Sequence, residues 1–105
     1  MESIKEQIAI LAGEILVHQE GLETAKENKE NCSISETFFF KSALRTIESE
    51  SAIVDRKQVM LEKMMVEHGI TLKDFSIDEL NDWKAKLTEK VRAKRNFYQA
   101  KACPR

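Results

Sequence analysis

The chain has one proline in 105 residues, Pro104, and only three glycines, Gly13, Gly21 and Gly69. A turn-rich β fold draws heavily on both residue types, so their scarcity excludes that class and leaves room for long uninterrupted helices. Long hydrophobic runs are missing too. No stretch approaches the roughly 20 apolar residues that a membrane-spanning helix needs. Glu2, Lys5 and Glu6 come early with no small-residue cleavage site after them, which is unlike a secretory leader. The expectation is therefore a cytoplasmic protein with no membrane partner.

Cysteine is equally sparse. Cys32 and Cys103 stand far apart and, in a reducing compartment, are expected as free thiols. Asn31-Cys32-Ser33 matches a glycosylation sequon, read here as a chance match because no secretory route accompanies it. The two histidines, His18 and His68, have no His, Cys or carboxylate at a helical ligand spacing, so no metal is expected. There is no glycine-rich phosphate loop, no HExxH and no nucleophile elbow. Acidic residues scatter over polar faces, as in Glu23 with Lys26 or Glu62 with Lys63, without a cleft to tune a catalytic pair. No catalytic residue and no cofactor are assigned, and the expected protein is not an enzyme.

What the chain does hold is charge, 33% of its residues, and a repeated apolar rhythm. Ile4, Ile8, Leu11, Ile15, His18, Leu22 and Ala25 alternate steps of four and three. Phe40, Leu44, Ile47, Ser51, Val54, Gln58, Leu61, Met65 and His68 do the same. Such a 4-3 repeat places each set on one narrow helical stripe, the seam of a coiled coil. The polar break at Asn28-Lys29-Glu30-Asn31-Cys32 separates them, which predicts an antiparallel helical hairpin. Ser51 and Gln58 interrupt the second stripe, either to fix register or because the hairpin leaves them exposed.

The predicted elements are helix 1 over about 3–29, helix 2 over about 34–68, a short turn over 72–75 and helix 3 over about 77–98. A basic tail, 99–105, is expected to fray. Ser33-Ile34-Ser35-Glu36, Thr71-Leu72-Lys73-Asp74 and Ser76-Ile77-Asp78-Glu79 each carry the spacing of a helix-opening capping box. Gly69 fits the position just past a helix end. Helix 3 shows one apolar face, Ile77, Leu80, Trp83, Leu87 and Val91. The whole is one all-α domain: a long coiled-coil-like hairpin with a third helix packing back, completed by dimerisation.

Turning the hairpin at residue 31 or 32 sets Leu22 against Phe40 and Leu44, Ile15 against Ile47, and Ile8 against Val54. Leu61, Met65 and His68 then overhang the start of helix 1. Helix 2 also carries a second partial stripe, Phe39, Ala43, Ile53, Met60 and Met64, and so reads as the central helix. Its surplus, Phe39, Met60, Leu61, Met64 and Met65, is assigned with Phe75 and Trp83 to a partner or dimer surface. Methionine suits such a surface because it adapts to varied neighbours.

Charge is polarised along the chain. Residues 1–81 hold 9 Lys/Arg and 16 Asp/Glu, while residues 82–105 hold 8 and 2. Lys90, Arg92, Lys94, Arg95, Phe97, Tyr98 and Lys101 interleave cations with aromatics, as nucleic-acid contacts do.

Residues 57–80 run from Lys57-Gln58-Val59-Met60-Leu61 through Val66-Glu67-His68-Gly69-Ile70 to Leu72-Lys73-Asp74-Phe75. This segment resembles the self-association region of the histone-like nucleoid-structuring (H-NS) proteins, where a long helix ends in a Gly-Ile step and a short acidic turn. The resemblance implies self-association. It does not extend to that family's DNA-reading domain, which has no counterpart after Arg95, so it implies a self-associating version or an antagonist. The functional expectation is a helical interaction module (adaptor, chaperone or regulator) that forms homodimers through helix 2 and also binds another helical protein. The alternative is a small nucleic-acid-associated regulator using the basic segment.

Overall fold

The structure, a computed structural model, describes residues 3–32 and 37–102. Three helices account for nearly all of them: α1 (Ile4–Glu30), α2 (Thr37–His68) and α3 (Ile77–Gln99). One 3-10 turn, Leu72–Asp74, stands between the last two. The all-α expectation holds, and the element boundaries fall within a few residues of those read from the capping signals. Ser3 caps α1 by accepting from the Glu6 amide at 3.2 Å, and Ser76 caps α3 by accepting from the Glu79 amide at 3.1 Å. Asp74 reaches back to the Thr71 amide at 2.7 Å. The capping box expected at Ser33 to Glu36 lies outside the described residues.

The end of α2 is fixed by Gly69, whose φ of 62° is the left-handed conformation that costs glycine nothing. Ile70 donates to the Met65 carbonyl at 3.0 Å and Gly69 to that of Val66 at 3.3 Å. This pair of bonds is the Schellman motif, and it satisfies two carbonyls that the helix leaves open.

The seam forms. Ile8, Leu11, Ile15 and Ala25 of α1 are buried, as is Val54 of α2, and the remaining apolar seam residues are at least half-buried; Ala43 of the second stripe is buried too. Gln58 and His68 are the exceptions and lie exposed. Gln58 is thus a surface residue, while Ser51 is half-buried.

The register differs from the expected one. His18 lies opposite Glu50 and Glu14 opposite Lys57, so α2 is displaced along α1 by more than a turn. The cause is the length of the connection: positions 31–36 separate Glu30 from Thr37, instead of a turn at residue 31 or 32. At 1.5 Å per residue, the observed register brings Leu61 and Met65 level with the first turns of α1. The expected overhang is therefore absent at Leu61 and Met65, while exposed His68 still falls beyond the start of α1.

A second correction concerns which helix is central. α1 packs against both α2 and α3, whereas α2 and α3 share no comparable backbone contact. α3 runs parallel to α1, as Lys5 near Glu79, Ala9 near Trp83 and Glu20 near Arg95 show. Size explains the choice. The second face of α1 is built from Ala9, Gly13, Gly21 and Thr24, and a helix bearing Trp83 and Tyr98 can approach it closely. A Cβ on Gly13 would sit 3.4 Å from the Trp83 ring nitrogen, and one on Gly21 only 2.9 Å from the Tyr98 ring.

Candidate functional site

Glu50 stands midway along α2 with 4% of its surface exposed. One carboxylate oxygen accepts from the Tyr98 hydroxyl at 2.7 Å and pairs with the Lys94 ammonium at 3.1 Å. The other meets Nδ1 of His18 at 2.6 Å. An ionised carboxylate only accepts, so His18 Nδ1 carries the hydrogen. Burial pushes the Glu50 carboxyl upward. Its bonds from Tyr98, His18 and Lys94, with the Lys94 charge, outweigh that and hold it below the ordinary carboxylate range. Tyr98 moves the other way: burial and the adjacent carboxylate raise its hydroxyl to about 12.

The chemistry of this junction is mechanical. One buried anion from α2 is shared between a donor on α1 and two on α3, which ties all three helices at one level. Gly21 makes the meeting possible, since Lys94, Tyr98 and Glu50 converge above its missing side chain. One turn away Arg95 pairs with Glu20 at 2.5 Å, and Asn28 donates to the Tyr98 carbonyl at 2.9 Å. The cleft beside Tyr98, lined by Ala25, Phe39, Ala43 and Lys101 among others, is no larger than a water molecule.

The expectation of a wholly solvated set of acidic residues is thus wrong at Glu50. Glu23 with Lys26 is the exposed pair expected. His18 is the hydrogen-bonded interface histidine its seam position implied. No sequence signal singles out Glu50 itself; the small residues on the second face of α1 were the legible sign that another helix comes close there.

The residues assigned to nucleic-acid contact separate into two groups. Lys94, Arg95 and Tyr98 turn inward to Glu50 and Glu20. Lys90, Arg92, Phe97 and Lys101 are exposed, with Arg92 3.4 Å from Glu89 and the Lys101 ammonium 4.1 Å from the centre of the Phe97 ring. A shallow groove of about 240 Å³ follows α3 between Lys84, Leu87, Val91 and Arg92.

The residues assigned to a partner surface also divide. Trp83 packs within the chain on α1, donating to the Ala9 carbonyl at 2.9 Å. Phe75 is half-buried under the Lys5 ammonium, and Phe39 is half-buried beside Tyr98. Leu61, Met64 and Met65 are half-buried, while Met60 is exposed. Sequence reasoning missed Val59, Val66, Leu72 and Ile77, which are 65–82% exposed and, with Met60, follow one another from the end of α2 into the start of α3. Ile77 is placed by the sequence on the apolar face of α3, but it is exposed.

Cys32 is disulfide-bonded, which overturns the expectation of a free thiol there. The chain's other cysteine, Cys103, lies outside the described residues. Among the described residues no helix is long and apolar enough to cross a membrane. The fold and these sites define a three-helix all-α protein whose first helix is central. No family model matches this chain, and neither a curated protein nor a solved structure matches it.

Proposed function

We propose that the protein is a non-enzymatic helical interaction module that self-associates through the outward face of α2. One observation carries this reading: large apolar side chains gather on the stretch from Val59 to Ile77, where no other part of the described chain covers them. The surface total points the same way. The chain exposes 7531 Å², against about 6,000 Å² for a compact monomer of this mass. Its radius of gyration is 16.5 Å, against about 13 Å for a compact chain of this length. The surplus, about 1,500 Å², is roughly twice the 800 Å² or so that each partner buries in a standard interface. The resemblance of residues 57–80 to a self-association segment supports the same reading.

A nucleic-acid role ranks second, because Lys94 and Arg95 are already committed to Glu50 and Glu20. A disulfide at Cys32 favours an oxidising environment over the reducing cytosol expected from the sequence.

Light scattering at micromolar concentration tests the proposal. The expected result is a dimer that Val66→Glu, at an 82% exposed position, turns into a helical monomer. A wild-type chain that stays monomeric throughout would reject it.

A further inference from the structure

The least buried packing in the molecule is that of α3. None of its described residues is buried, in contrast to α1 and α2. It rests on α1 through half-buried Leu80, Trp83, Leu87 and Val91 and does not pack its backbone on α2. Its polar ties to α1 are the Lys5–Glu79 and Arg95–Glu20 pairs, the Trp83–Ala9 bond and the bond from Asn28 to the Tyr98 carbonyl. Exposed pairs contribute little. Its charged tie to α2 is Glu50, which receives both Lys94 and Tyr98. The α1–α2 pair has ties of its own: Ile8, Leu11, Ile15 and Val54 are buried, and Glu14 pairs with Lys57.

We propose that α3 is an acid-released clip, whose docking on α1 is loosened by protonation of Glu50 while the disulfide at Cys32 stays intact and α1 and α2 remain paired. The groups facing Glu50 are His18 from α1 and Lys94 and Tyr98 from α3. A proton on the carboxylate removes the only anion they share and leaves the half-buried Lys94 ammonium without its counter-charge. The direction follows from linkage. The Glu50 carboxyl is held below its unfolded value, so its contribution is present above the ordinary carboxylate range and is lost as the pH falls through the folded value. Elements held by few buried contacts open first, so the clip gives way before the hairpin.

Trp83, the sole tryptophan, sits on α1 only while α3 is docked and reports the event. In the intact protein, acid titration is expected to red-shift Trp83 emission at a higher pH than that at which far-UV helix signal is lost. Glu50→Gln is expected to show the shifted emission already at neutral pH. Tyr98→Phe, which removes one donor from the carboxylate, should move the midpoint to higher pH. Glu20→Gln, which breaks the Arg95 pair but leaves Glu50 and its donors in place, should move it less than Tyr98→Phe does. Emission and helix signal falling together in the wild type would overturn the proposal, as would a Glu50→Gln protein with wild-type emission and pH profile. If Glu50→Gln fails to fold, Tyr98→Phe decides: an upward midpoint supports the clip and an unchanged one rejects it.

Discussion

Trp83 of α3 donates its indole N–H to the carbonyl of Ala9 at 2.9 Å, with its ring against Gly13 one turn further along α1. Two of the three glycines in the chain thus serve one interface. They do not serve it equally.

Gly13→Ala adds a methyl at ordinary contact distance, 3.4 Å from the Trp83 ring nitrogen and 3.5 Å from Leu87. Alanine gains about 1 kcal/mol over glycine inside a helix. The melting temperature is expected to rise, by up to ~4–8 °C for a domain of this size. Gly21→Ala places the same methyl 2.8 Å from Lys94 and 2.9 Å from the Tyr98 ring. The lysine tip can move but the ring cannot without leaving Glu50, so this variant should melt lower than the wild type. Thermal denaturation followed by circular dichroism compares the two.

Tyr98 is the only tyrosine, so phenolate absorbance titrates a single group. Its midpoint is expected near 12 in the native protein and near 10 in denaturant. A hydroxyl whose folded value lies above its unfolded one stabilises the fold below the unfolded value. That contribution disappears as the pH climbs from about 10 to about 12. Glu50→Gln removes the neighbouring charge and should bring the native midpoint back toward 10. A wild-type midpoint at 10 would show that Tyr98 is not held as described.

Cys32 should resist alkylation until the protein is reduced, because its sulfur is already bonded. Reduction, or Cys32→Ser, is expected to lower stability by roughly 2–4 kcal/mol, the usual range for a native disulfide. Urea denaturation with and without reductant measures the difference. Rapid labelling of Cys32 in the untreated protein would contradict the assignment.

Helix type, helix ends and the seam were legible because each rests on local chemistry. Ser3, Ser76 and Gly69 act within one turn of their own positions, and the spacing from Ile4 to Ala25 is a property of one helix. What failed was longer in range. The register depended on how many residues the connection after Glu30 consumes, which no periodicity reveals. The central helix was misread because large apolar residues on α2 were weighed more heavily than small ones on α1. Of those large residues Met60 remains outside, while Gly13 and Gly21 draw α3 in. Glu50 was illegible for a related reason: its donors come from helices 32 and 48 positions away in the chain.

The parallel course of α1 and α3 also makes the molecule electrically uneven along its 51 Å length. Peptide dipoles of an antiparallel pair cancel, and here α2 opposes two helices rather than one. Roughly one helix's worth is left over, about half a positive charge where α1 and α3 begin and half a negative charge where they end. Glu6, Asp78 and Glu79 stand in the first turns at the positive pole and partly neutralise it. Two copies lying side by side with opposed long axes would cancel the remainder, whereas two aligned copies would double it. The shared direction of α1 and α3 therefore biases how a second molecule would lie.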